Sequence, residues 1–233
     1  MSELRNLRIQ LKKNANLERA KKQPVFFKNT KDGLFLGIAA AIIRDIAKDY
    51  YNISMDDILE LMKSNVHDER SIANVILCAK FKKSDEKGQT KLFNFYIKNR
   101  KYIRDWDSVD DSAPYIVGPY LISRNKAILY KLAYSKRIWD RRIAIVATLH
   151  FIRNGYLKDT IKISEMLLDD KEDLIHKAVG WALREVGKKD VSLLKKFLNK
   201  YHKTMPRTML RYAIERFSID ERKKYLMKQK VGQ

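Results

Sequence analysis

A helical rhythm that recurs from one end of the chain to the other constrains its fold most. Amphipathic segments of about ten to sixteen residues, with apolar side chains three and four apart, alternate with short polar breaks. Leu4, Leu7 and Leu11 open the series in a basic segment, which reads as a helix ending near Lys21 and stopped by Pro24. Phe26 and Phe27 follow, then a polar loop over 28–33. A second helix is expected after Gly37, running through Ile42, Ile43 and Ile46 to Tyr50. Further helices are predicted over 55–63, 67–81, 89–99, 107–122, 125–134, 138–153, 159–168, 172–187, 190–200, 205–216 and 220–229. Ser54 and Asp190 stand where N-caps belong, and Pro114 is expected to kink its segment or shift its start. No stretch alternates apolar and polar residues as a strand does. Only 8 Gly and 4 Pro punctuate 233 residues, which favours long helices and short connections over a many-turned β protein.

Successive helix pairs repeat with a period of roughly 35–45 residues, the pattern of a HEAT-like or armadillo-type α-solenoid of antiparallel helix pairs. A compact helical bundle is the competing architecture. With 45% apolar residues the chain can fill a core, and its length suits a single domain over 1–233. Stacked pairs curve, so a solenoid of this composition is expected to present a basic concave face able to cradle a duplex.

Charge narrows the partner. Lys and Arg number 49 against 28 Asp and Glu, a formal net charge of +21. An excess of that size builds a positive field whose natural counterpart is a polyanion. The sole cysteine, Cys78, lies in the apolar run 73–79; it cannot form a disulfide within the chain and reads as a small core residue of a protein from a reducing compartment. The N-terminal stretch lacks the apolar core of a signal peptide, and the longest apolar run, 34–43, is too short to span a bilayer. A cytoplasmic protein without a membrane partner is expected. His67, His150, His176 and His202 are dispersed, with no metal-ligand spacing, and no Gly-rich phosphate loop is present; neither metal nor cofactor is expected.

Four segments carry residues suited to chemistry. In Trp106-Asp107-Ser108-Val109-Asp110-Asp111, Trp106 and Asp110 are four apart and share a helix face; the bland alternative is a core Trp and an Asp capping a helix start. In Trp139-Asp140-Arg141-Arg142, Arg142 precedes the apolar run 143–149 and sits at the edge of a core, where its stem could simply snorkel. Gly180, beside Trp181, costs a helix up to about 1 kcal/mol against Ala, so either close packing or room for a bulky neighbour must compensate. His67-Asp68-Glu69-Arg70 reads as a helix start with acids in its first turn.

In their order and spacing, from Phe35-Leu36-Gly37-Ile38 through residues 67–70, 106–110 and 139–145 to 177–185, these segments resemble the AlkD-like DNA alkylation repair glycosylases, which are built of HEAT-like repeats. The resemblance covers nearly the whole chain. It implies hydrolysis of the N-glycosidic bond of N3- or N7-alkylated bases such as 3-methyladenine and 7-methylguanine in double-stranded DNA, by base-excision repair, with the lesion left stacked in the duplex. It implies that Asp110 is the catalytic carboxylate, that Trp106 and Trp181 line the lesion-facing cleft, and that Arg142 contacts the DNA backbone. Family members usually carry an aromatic residue, often Tyr, before the Phe-Leu-Gly-Ile segment. Phe26 and Phe27 are the candidates here, and neither supplies a hydroxyl.

The residue types fit that chemistry independently. An alkylated base already carries a positive charge and leaves without a general acid. A carboxylate beside the sugar stabilises the oxocarbenium-like transition state and positions water. Indole faces attract the cationic base, and a guanidinium holds a phosphate. The expected partner is duplex DNA bearing alkylated bases, met by a monomer with no obligate protein partner. The alternatives are a catalytically inactive HEAT-repeat protein that binds unusual or branched DNA, and a scaffold for protein partners.

Overall fold

The computed structural model describes residues 2–27 and 34–227. Among these residues the chain is helical, with no strand; an isolated parallel bridge joins Leu34 to Val66. The helices are α1 (Glu3–Lys13), α2 (Leu17–Lys22), α3 (Ala40–Asp49), α4 (Met55–Lys63), α5 (His67–Lys83), α6 (Glu86–Asn99), α7 (Trp106–Asp110), α8 (Val117–Leu121), α9 (Ala127–Ala133), α10 (Ile138–Arg153), α11 (Lys158–Met166), α12 (Asp173–Lys189), α13 (Val191–Tyr201), α14 (Arg207–Ala213) and α15 (Ile219–Leu226). Short 3-10 turns cover Gln23–Phe26 and Arg100–Tyr102.

Contacts divide the chain into two units, one ending at Tyr120 and the other beginning at Leu121. In the first, α5 packs against α3, α4, α6 and α7. In the second, α10 packs against α9, α11 and α12, and α12 against α13 and α14. Helices α5, α10 and α12 thus each meet a neighbour in sequence and a helix two places along, the stacking pattern of α-solenoid repeats. The central helices α5 and α10 are buried on most sides: α10 hides Trp139, Ile143 through Leu149, Phe151 and Ile152, and polar Asp140 and Arg142 with them.

Most expected helices are present with boundaries shifted by a few residues, and the expected caps form. Ser54 accepts from the Asp57 amide at 3.1 Å and Asp190 from the Leu193 amide at 2.9 Å. Three expectations need correction. The N-terminal helix breaks at Asn14–Asn16, because the Asn14 side chain donates to the Gln10 carbonyl and Asn16 caps α2 by accepting from Arg19. The helix expected over 107–122 is two short ones joined by turns. Pro114 has no amide for the Asp110 carbonyl, and the Ser112 hydroxyl takes the Ser108 carbonyl at 2.5 Å. Cys78 is half-buried rather than core; its thiol donates to the Asp111 carbonyl at 3.4 Å, and burial pushes its pKa up, so it is kept as an inert thiol. The loop read over 28–33 lies outside the described residues.

Two glycines are required by close approach. Gly37 has φ +77°, and a side chain there would run into the Asn16 carbonyl and the Ala20 amide. That contact lets the Asn16 amide reach the Leu36 carbonyl at 2.8 Å, seating α2 on the 35–38 segment. At Gly180 close helix packing explains the missing side chain, since a Cβ would lie 2.5 Å from both the Met209 carbonyl oxygen and the Tyr212 Cβ on α14. Gly180→Ala should therefore destabilise the protein by about 1–3 kcal/mol, despite the better helix propensity of Ala. Denaturant unfolding would read this as a lowered midpoint.

Candidate functional site

The candidate residues fall in both units, and each set is described within its own unit.

In the first unit the site is built around α7. Trp106 is its first residue and Asp110 its last, one turn apart on one face, both half-exposed. Trp106 is therefore not a core residue, and Asp110 closes the helix rather than capping its start. A helix of five residues cannot hold itself; side-chain ties fix it instead. The Trp106 indole Nε1 donates to the Phe26 carbonyl at 3.1 Å, and its ring stacks on Phe27 with centroids 5.4 Å apart and planes 16° apart. Phe27 is buried, whereas the Phe26 side chain is 71% exposed. The two candidate aromatics thus have different environments: Phe27 is part of the ring cluster under Trp106, and Phe26 offers its backbone to the indole and its ring to solvent.

Behind α7 lies the N-terminal turn of α5. The reading of residues 67–70 as acids serving a helix start is too weak a description. All four side chains are buried, and each has a distant partner. His67 Nε2 meets Asp107 Oδ2 at 2.7 Å. Asp68 accepts from the Leu36 and Ile38 amides at 2.7 and 2.9 Å. Glu69 takes the Arg8 guanidinium of α1. Arg70 donates from Nε and Nη2 to Asp105 Oδ2 at 2.9 and 2.8 Å, and from Nη1 to the Ser64 carbonyl. The far end of α7 is fixed through Ser112. Its one hydroxyl proton goes to the Ser108 carbonyl, so the buried Tyr96 hydroxyl must donate to Ser112 Oγ at 2.9 Å.

The His67 ring also stacks on Phe35, at 5.0 Å, and lies 4.8 Å from Phe27. Burial lowers its pKa, but the hydrogen bond and charge of Asp107, with Asp105 behind, outweigh burial and the opposing Arg70, and the net shift is upward. Asp111, just past α7, is pushed up to about 6, first by loss of hydration on its packed side and then by the charges of Asp107 and Asp110. His67, Asp105 and Asp107 each bring one donor atom within 4.8 Å of the others. A cation there would displace the His67–Asp107 hydrogen bond and stand against Arg70, so the trio reads as a hydrogen-bond network. Sequence inspection missed this network because its partners lie 35 to 40 residues apart. The available signal was the matching of His67-x-x-Arg70 with Asp105-x-Asp107.

In the second unit, Arg142 is buried rather than snorkelling, 5% exposed on α10, and its Nη1 donates to the Leu174 carbonyl in the first turn of α12 at 2.5 Å. Its neighbour Arg141 is engaged by Asp170 at 2.6 Å and by the Ser135 and Lys136 carbonyls. Trp181, on α12, lines a recess of about 240 Å³ with Leu149, Ile152, Arg153, Glu185, Lys188 and Lys189. Its walls are the far half of α10 and the last two turns of α12. Arg142 is seven residues before Leu149 on α10, so it belongs to an earlier level of the same pair of helices.

Paired helices with no strand among the described residues, a strong excess of positive charge, and an indole and a carboxylate on one helix face define a helical protein whose charge suits a polyanionic partner. The chain matches the model of the DNA alkylation repair enzymes over residues 7–217, and it belongs to that family. Membership assigns it to alkylation repair, with DNA as the substrate. A solved structure from Enterococcus faecalis, described as a predicted DNA alkylation repair enzyme, has the same fold, with TM-score 0.70 and 16% identity over 88% of this chain and 98% of that one. No curated protein matches. Among the described residues no helix is long and apolar enough to cross a membrane.

The Arg70–Asp105 pair, with side chains 2% and 0% exposed, should be the costliest of these contacts to break. Asp105→Asn leaves the guanidinium buried without its counter-charge and should cost about 3–5 kcal/mol, whereas the paired replacement Arg70→Met with Asp105→Leu should cost much less. Urea unfolding of the single and double variants would show the difference.

Proposed function

We propose that this chain is a monofunctional DNA glycosylase that excises cationic N3- and N7-alkylated bases, 3-methyladenine and 7-methylguanine among them, from double-stranded DNA. The observation that carries the reading is the presentation of Trp106 and Asp110 on one face of a short helix pinned from behind. The indole offers a π face to a cationic base, and the carboxylate stands one turn away to meet charge developing on the sugar. Phe26 and Phe27 border Trp106 in the first unit, and Trp181, half-exposed at its recess, and Arg142 are the residues proposed to contact DNA from the second. Lysines and arginines of both units would meet the phosphates of the duplex.

The proposed reaction needs no metal or cofactor. The glycosidic C1′–N bond breaks with its electron pair passing to the alkylated base, whose positive charge is neutralised. The sugar becomes oxocarbenium-like, and Asp110 stabilises it. Water adds at C1′ and gives up its proton to Asp110 or to solvent, leaving an abasic site. A monomer acting in the cytoplasm with the lesion still stacked is the simplest form of this reading. A catalytically inactive binder of branched DNA is the alternative, favoured only by the missing hydroxyl at Phe26 and Phe27.

The test is release of 7-methylguanine from a methylated duplex. Wild type should release the base, and Asp110→Asn should lose about a hundredfold or more in rate while keeping its affinity for DNA. Affinity should fall about a thousandfold or more between 50 and 200 mM salt if six or more phosphates are neutralised. Tight, salt-dependent binding with no release would select the inactive binder; weak, salt-insensitive binding would reject both.

A further inference from the structure

We infer that His67 is a positioning residue for this reaction: through Asp107 it holds α7, and so sets where Trp106 and Asp110 stand. The inference rests on the glycosylase reading and names what keeps its carboxylate in place. Three features of the first unit carry it. First, α7 has five residues; Asp105 at the N-cap position makes no cap hydrogen bond and is turned to Arg70, and the Ser108 amide in the first turn is taken instead by Asp107 Oδ1 at 2.8 Å, so the residue that His67 holds also holds the start of the helix. Its orientation therefore depends on tertiary ties. Second, the His67–Asp107 bond of 2.7 Å attaches one residue after Trp106 and three before Asp110, as near to Trp106 as the Arg70–Asp105 pair and two residues nearer to Asp110. Third, His67 is 5% exposed, and its ring touches Phe27 and Phe35, the first of which carries the Trp106 ring. One imidazole therefore touches the helix through Asp107 and the indole through Phe27.

The tie depends on the proton. The charged groups facing His67 are Asp107, Asp105 and Asp111 on the α7 side and Arg70 one turn along α5. Three acids oppose one guanidinium, and the Phe35 ring stacks on the imidazole. With its pKa raised above the ordinary histidine value, His67 forms an ion pair with Asp107 below that pKa. The ion-pair contribution is complete below the unfolded-state pKa and is lost as pH rises through the folded-state one. Above it a neutral Nε2–H still donates, but more weakly.

The experiment compares wild type, His67→Ala and His67→Gln in single-turnover release of 7-methylguanine and in duplex affinity, from pH 6 to 9. Glutamine keeps an N–H donor for Asp107 and cannot become charged. The indole N–H resonance of Trp106, assigned with Trp106→Phe, is followed over the same range. His67→Ala should slow release by about ten- to a hundredfold, the scale of misplacement rather than of lost chemistry, with affinity changed less than about twofold. Wild-type release should fall with rising pH towards the rate of His67→Gln, which should be flat, and the Trp106 resonance should titrate in wild type only. A wild-type rate in His67→Ala, or a wild-type pH profile in His67→Gln, overturns the inference; if His67→Ala fails to fold, the glutamine variant decides. If wild type releases no base the glycosylase reading falls by itself. A Trp106 signal that still titrates with His67 then upholds the tie, and one that does not overturns it.

Discussion

The N-terminal unit depends on a run of four polar side chains buried at the start of α5. A buried charge is tolerated only with a well-placed partner. Here the partners come from three other parts of the chain: Asp107 for His67 and Asp105 for Arg70 at the start of α7, the 36–38 backbone for Asp68, and Arg8 of α1 for Glu69. Apolar residues of the same volume could pack there at less desolvation cost. They would not specify which segment docks where. The carboxylate of Asp68 holds the segment in which Gly37 must adopt a positive φ, and that glycine in turn admits α2. The 3-10 turn that follows α2 brings Phe26 and Phe27 to Trp106. The aromatic side of the candidate site is thus assembled by a chain of contacts that begins at α5.

The helices were legible because their signal is local. Apolar residues three and four apart mark α4, α10 and α12, and α10 runs over Ile138–Arg153 as its pattern predicts. Ser54 and Asp190 acted as caps because capping is decided within one turn. The segment around Pro114 misled, since its apolar content continues through the turns where the missing amide and Ser112 end the helix. Residues 67–70 misled more instructively. A charged tetrapeptide at a helix start has the composition of a solvated turn, and nothing nearby reveals that each member is buried against residues far away in sequence. Gly180 signalled that something approached closely, but only packing identified Met209 and Tyr212 as the reason. Trp106, Asp110, Arg142 and Trp181 were proposed from their order along the chain, and the residues that hold the first two were not.

The distribution of charge bears on the proposed chemistry. The chain as a whole carries +21, yet Asp105, Asp107, Asp110 and Asp111 crowd into seven residues. The Asp111 carboxyl is pushed up to about 6, first by loss of hydration and then by the neighbouring charges of Asp107 and Asp110. Asp105 and Asp107 are committed to Arg70 and His67, so their charge is balanced locally. A duplex with a cationic lesion makes opposite demands over a short distance, with negative phosphates on its outside and a positive base at one point. On the proposed reading, lysines and arginines over the rest of the surface would meet the phosphates, and the acidic end of α7 would meet the base and its sugar. A carboxylate can serve such a transition state only if it stays where the charge develops. A short helix tied to a buried imidazole, a buried guanidinium and an aromatic stack leaves Asp110 little freedom to move away. The rigidity of α5 is then a requirement of the chemistry as well as of the fold.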